Sequence, residues 1–404
     1  MNKVERKSWL YCLLFPPVFS FIFSFIILLS RRNKICLYRF LFCTVVIIAY
    51  WYVAYDTILK FFSYVSLKEI NIDSDPLTIV MYLLKPIDYY FIIFIYWLIS
   101  GYFFYSIHAS YYKKKIPITA LILMICSLNF AYWANLTYFT LALNYSLYIG
   151  FKFRKKILYI ILLSLLVFLF HGGAYMIMFP AILLFYLWKC NYIKLSVLYI
   201  ALFFILTYMF ANHKLNIDVY LDFLLTTKEQ RDAYDGYVGD TEWGTSVRDF
   251  GIRGYIYIYM LYLIAAITIY YLIRYFRLVK KNFAGAFMVI SIIIFYNMRN
   301  FYTISERSAI GVLLSTSIVV AFLFSRRYIS KFIRILYLGL ISFSFIFSAI
   351  FFVQPREDMF VNESYGYDVS VKSLYIPTFL CVLDIHHFGF SNEYLKNNAR
   401  NRHK

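Results

Sequence analysis

Residues 151–190 read FKFRKKILYIILLSLLVFLFHGGAYMIMFPAILLFYLWKC. A basic turn, Lys152 to Lys156, gives way to an apolar run from Ile157 to Phe170. The run stops at His171-Gly172-Gly173-Ala174, a second apolar run follows, and Lys189 closes it. Cations flank the pair and no charge lies inside either run, the pattern of two helices that cross a bilayer and return.

The same alternation covers the chain. Its 404 residues are 62% hydrophobic with a mean hydropathy of +0.67. Apolar runs predict membrane spans at 9–30, 40–55, 87–110, 117–132, 136–150, 157–171, 173–188, 195–211, 254–273, 283–298, 308–324 and 335–353. The expected architecture is an all-α polytopic integral membrane protein of about 12 transmembrane helices. Neither an internal repeat nor a low-complexity linker stands out, so residues 1–404 read as one integral membrane domain.

Charge sets the orientation. Alternate connections hold Arg31, Arg32, Lys34 and Arg39; Lys113 to Lys115; Lys152 to Lys156; Lys189 and Lys194; Arg274, Arg277, Lys280 and Lys281; and Arg326, Arg327, Lys331 and Arg334. None contains an acid; 20 of the 21 acidic residues, Asp56 to Glu393, fall in the other set, and Glu5 precedes the first run. Short all-basic turns are cytoplasmic and the acidic set is extracytoplasmic. The formal charge of +19 therefore reads as topology rather than as a nucleic-acid surface.

Twelve spans put both termini outside, against the preference of Lys3, Arg6 and Lys7 and of the basic tail 396–404. Pro16-Pro17 offers a second form of the first run, a hairpin, which moves the N-terminus inside and leaves the rest unchanged. The first run lacks an evident small-residue cleavage site and reads as a retained helix. Segment 375–390 carries Asp384, His386 and His387 and reads as interfacial, within an extracytoplasmic or interfacial tail 354–404. The six cysteines form no CxxC pair, so neither a disulfide framework nor a zinc site is expected.

Outer connections are where chemistry is expected, because the basic turns are too short to house it. The longest, about 212–253, interleaves Asp235 and Asp240 with Trp243, acids for sugar hydroxyls and a ring for a sugar face. Arg248 and Arg253 close it, and Arg299, Glu306 and Arg307 lie in a short later connection. Arginine on this side is not a topology marker, and its fork fits phosphate oxygens; snorkelling at the interface is the plainer alternative. His171, at the outer end of a span beside Gly172-Gly173, suits proton acceptance from a hydroxyl, against the plainer reading of one satisfied interfacial hydrogen bond. Asp56 lies at the exit of the second span, a place for a base or a ligand-orienting acid. Asp73 and Asp75 alone make a weak metal signal, and no metal or cofactor is expected.

Three features resemble the Wzy / EpsG-like family of bacterial surface-polysaccharide (O-antigen) polymerases: Asp56 followed by Tyr64, the run Phe170-His171-Gly172-Gly173-Ala174 after Lys155-Lys156, and Arg299 with Arg307. Where that family often carries an arginine, this chain reads Ala134-Asn135-Leu136-Thr137. The resemblance implies a multi-pass glycosyltransferase of the bacterial inner membrane that extends undecaprenyl-diphosphate-linked oligosaccharides, with room for a chain-length regulator as partner. It also implies the roles: His171, Asp56 or Glu306 in catalysis, and Arg299, Arg307, Arg248 and Arg253 on diphosphate. A lipid-linked oligosaccharide flippase is the main competitor, but it should carry charges inside its spans and short loops on both sides. A lipid-phosphate-sugar glycosyltransferase lacks its large soluble domain here, and a membrane acyltransferase lacks an acid beside His171.

Overall fold

A computed structural model describes residues 3–51, 82–84, 89–112, 115–128, 136–212, 251–299, 301–326, 328–353 and 377–383. Among these residues every regular element is helical. Five helices are long and apolar enough to cross a bilayer: Phe91–Ser110, Gly172–Lys189, Ile193–Ala211, Tyr255–Arg274 and Arg307–Ser325. The chain divides into two compact units, 1–145 with 345–404, and 146–344.

The first unit opens with α1 (Lys3–Leu14), α2 (Pro17–Arg31) and α3 (Lys34–Trp51). The expected through-going span 9–30 does not form. Pro16 lacks the N–H that would continue α1, and Pro17 starts α2 at a position where proline is favoured. The two helices fold back on each other: Ser20 Oγ donates to the carbonyl of Cys12 at 2.7 Å, and the Tyr11 ring meets Phe23 at 6.3 Å. Arg32, in the left-handed region at φ 52°, ends α2. Asn33 then caps α3 by accepting from the Cys36 N–H at 2.8 Å.

α1 runs parallel to α3. Arg39 donates to the Ser8 hydroxyl, and Trp9 lies 5.9 Å from Phe42 between ring centroids. The N-terminus is thus on the side of the 31–34 turn, the hairpin form of the first segment. Arg39, expected as a marker in a basic turn, instead points inward and is 1% exposed. At the hairpin's tip the Phe15 carbonyl accepts from the Thr378 N–H (2.9 Å) and hydroxyl (2.6 Å), which docks α15 (Thr378–Leu383) there. Further along, α4 (Tyr89–Ser110) packs on α3 through Tyr38 and Tyr102, and bonds to α6 (Thr137–Lys152) from Trp97 Nε1 to Thr137 (2.9 Å) and from Asn144 Nδ2 to Ser100 (2.9 Å). α5 (Ile118–Ser127) joins α4 and α6.

The second unit is built on α12 (Phe283–Asn297) against α13 (Tyr302–Ser325). Small residues let the backbones approach: a Cβ on Gly311 would sit 2.7 Å from Ser291 Oγ and 3.3 Å from Ile177. The buried hydroxyls of Ser308, Thr316 and Ser317 donate back to carbonyls of α13 itself, so polar residues sit in the core at little cost. α8 (Tyr175–Lys189) packs on α12. α9 (Ile193–Ala211) rests on α12 by a narrow strip and exposes Leu195, Val197, Leu198, Leu202, Ile205 and Leu206. A helix apolar on its exposed face is suited to lipid. α10 (Gly251–Arg274) covers α13, the short α11 (Phe276–Val279) follows, and α14 (Lys331–Val353) begins in this unit.

Side-chain bonds gather four basic turns at one end of this unit. Lys189 Nζ donates to the Lys155 carbonyl (2.7 Å), Lys280 Nζ to Asn191 Oδ1 (2.7 Å), and the Tyr275 hydroxyl to the Tyr328 carbonyl (2.8 Å). At the other end, Asn297 Nδ2 donates to the Phe204 carbonyl (2.9 Å) and Thr207 Oγ1 (2.6 Å), and Phe210 stacks near Phe301. α8 alone separates the two ends by roughly 22 Å at 1.5 Å per residue.

Two outcomes follow from this packing. An epitope at the N-terminus and a cysteine at Asn33 should be accessible from the same side of the membrane in protease-protection and impermeant-thiol assays; opposite sides would mean that α1 and α2 do not form the hairpin. A Cβ at Gly150 would lie 2.0 Å from the buried ring of Phe283, so Gly150→Ala should cost roughly 1–3 kcal/mol. Thermal unfolding in detergent should show that loss, with partial recovery on adding Phe283→Leu. Gly339→Ala, with nothing within 4 Å of the new Cβ, should unfold like the parent.

Candidate functional site

The break between the two apolar runs is a local change of helix type. α7 (Ile157–Ser164) tightens into a 3-10 turn, Leu165–Leu169, and a second short one, Gly172–Ala174, precedes α8. Tightening strands carbonyls that an α-helix would bond, and the Tyr175 hydroxyl donates to two of them, Ser164 (2.9 Å) and Leu165 (3.0 Å). The first turn of α8 is thereby clasped to the end of α7, and Tyr175 stacks on Phe179 at 4.4 Å. His171 is the extended residue in this clasp, at φ −167° and ψ 112°.

The imidazole caps the second short helix. Its Nδ1 accepts the Gly173 N–H at 3.0 Å. That bond uses Nδ1 as an acceptor and fixes the orientation of the ring. Gly173 also meets Arg307. A Cβ built on Gly173 would stand 3.0 Å from His171 Cε1, 3.1 Å from Nδ1 and 3.9 Å from Arg307 Nη1. The missing side chain leaves room for the imidazole to lie against the backbone of Gly173, and the Arg307 guanidinium lies on the same side at ordinary contact distance. Both are half-buried, at the end of the unit opposite the basic turns. The locus brings together an imidazole and a guanidinium, groups whose chemistry suits anionic oxygen.

Arg299 lies in the turn after α12, exposed, with its charge acting on Tyr262. Glu306 and Arg253 belong to α13 and α10, but their side chains lie outside the described residues, as do Asp56, Asp235, Asp240, Trp243 and Arg248. Among the described residues no cluster of three His, Cys, Asp or Glu could hold a metal ion. Tyr175 escaped the sequence reading. Its signal was its place directly after Gly172-Gly173-Ala174, where a hydroxyl can reach back over a helix break. The meeting of Arg307 with Gly173 had no sequence signal, because no periodicity links two helices.

No family model matches the chain, and no curated protein or solved structure shows significant similarity to it.

Proposed function

We propose that this protein polymerises undecaprenyl-diphosphate-linked oligosaccharide repeat units of a bacterial surface polysaccharide at the outer face of the inner membrane. The observation that carries the reading is the convergence of His171 and Arg307 on Gly173, at the end of the second unit away from the four basic turns. In this reading about 12 spans hold the chain in the bilayer. The connection 212–253 and the tail 354–404 lie outside with Asp235, Asp240 and Trp243 available to the glycan.

The reaction moves a growing glycan from its lipid diphosphate to the next repeat unit. An acceptor hydroxyl oxygen bonds to the anomeric carbon, the bond from that carbon to the diphosphate oxygen breaks, and its electron pair leaves with the diphosphate. The hydroxyl proton goes to a base. Negative charge builds on the departing phosphate, so donors placed there stabilise the transition state most. Arg307 fits that role, with Arg299, Arg248 and Arg253 as further diphosphate ligands. With Nδ1 engaged by Gly173 and Arg307 nearby, His171 is assigned to the leaving diphosphate rather than to the attacking hydroxyl. The carboxylate of Glu306, on α13 with Arg307, then serves as base.

Cells lacking the gene and complemented with variants test this. Arg307→Ala should lower long-chain polymer roughly a hundredfold, the scale of losing one oxyanion donor, while single repeat units still reach the surface acceptor. Loss of every surface unit, with lipid-linked repeat trapped at the inner face, would make the protein a flippase. Gly173→Ala should shorten the polymer ladder at unchanged protein level, because the imidazole must shift by a few tenths of an ångström. His171→Gln, which retains a donor, should keep more activity than His171→Ala; equal loss in both would remove the donor role.

A further inference from the structure

The basic end of the second unit holds a groove that polymerisation does not use. It has a volume of about 570 Å3 and lies between the last turns of α10 and the start of α14. Ile267 and Ile333 line its apolar part, and Tyr270, Tyr275 and Tyr328 its aromatic part, with Arg274 at the helix end. The rings form a continuous edge: Tyr270 meets Tyr271 at 5.2 Å, Tyr271 stacks with Tyr275 at 6.1 Å, and Tyr275 lies 4.9 Å from Tyr328. Arg274 Nη1 donates to the Tyr270 hydroxyl at 2.9 Å, and its guanidinium lies 5.7 Å from the Tyr275 ring centre. That holds the planar fork in place and leaves further N–H donors for an anion.

We propose that this groove binds an anionic phospholipid of the bilayer, with the phosphate on Arg274 and an acyl chain along Ile267 and Ile333. Three observations point to that occupant. The groove sits where a membrane-length helix, Tyr255–Arg274, ends, so its mouth is at headgroup level. The turns that line it are basic in sequence: Arg277, Lys280, Lys281, Lys331 and Arg334 lie within a few residues of its lining, and the sequence has no acid from 250 to 305 or from 307 to 356. Its lining passes from aliphatic to tyrosine to guanidinium, the order of polarity that a phospholipid presents from tail to head. The proposal is independent of the polymerase reading, since it concerns the opposite end of the unit and a lipid that is not consumed.

Native mass spectrometry of the purified full-length protein tests it, with phosphatidylglycerol and phosphatidylcholine added in equal amounts. Wild type should retain phosphatidylglycerol roughly fivefold over phosphatidylcholine, the scale of one basic residue at an anionic surface. Arg274→Gln should abolish that preference while leaving phosphatidylcholine binding intact, which also reports that the variant is folded. Arg154→Gln, a cation on another turn, should keep the preference. An equal loss in Arg154→Gln would mean diffuse attraction rather than a site, and an unchanged preference in Arg274→Gln would overturn the proposal. Excess inorganic phosphate should not displace the lipid; if it does so from wild type but not from Arg274→Gln, the groove takes a soluble anion instead.

Discussion

Placing a charge in hydrocarbon is costly, and much of this molecule is arranged around that cost. The turns of the second unit that carry lysine and arginine lie together at one end, held by Lys189 on Lys155, Lys280 on Asn191 and Tyr275 on Tyr328. Helices between the ends use residues that need no outside partner. α13 carries Ser308, Thr316 and Ser317 in its core because each hydroxyl bonds a carbonyl of its own helix. The exception is Arg39, buried in the first unit with the Ser8 hydroxyl as its partner. That hydrogen bond links α1 to α3 and sets their register, while burial of the guanidinium itself carries a desolvation cost.

The candidate site arises from a break in the same regular pattern. A helix that stops near the membrane edge exposes carbonyls and N–H groups that lipid cannot satisfy. Here the Tyr175 hydroxyl takes the carbonyls of Ser164 and Leu165, and the His171 ring takes the N–H of Gly173. The histidine is therefore structural: the bond that caps the short helix also holds the ring in place. Gly173 donates to that ring and lacks the side chain that would crowd it, with Arg307 nearby.

Legibility varied with the range of the interaction. The run after His171 was readable as a membrane-length helix, Gly172–Lys189, because an apolar stretch bounded by cations has few other stable forms, whereas the run before it forms only the short α7 and a 3-10 turn. The first run, 9–30, misled: its composition is continuous, but Pro16 and Pro17 together break the backbone ladder, and Phe15 is left to bond Thr378 from near the other end of the chain. Arg39 looked like one more residue of a basic turn, and only its packing against α1 shows that it points inward. The acids and the tryptophan of the 212–253 connection lie outside the described residues.

By itself the sequence determined a helical membrane chain and the grouping of its cations into alternate turns, since hydropathy and charge are local properties that each run carries with it. It also marked His171 and Arg307 as unusual for their positions. The tertiary structure decided that α1 and α2 form a hairpin, that α12 and α13 make the core of the second unit, and that His171, Gly173 and Arg307 share one locus. Those outcomes depend on which small residue faces which neighbour across two helices, as Gly311 faces Ser291 and Gly150 faces Phe283. Such pairings are set by the shapes of two surfaces together, and neither helix holds that information alone.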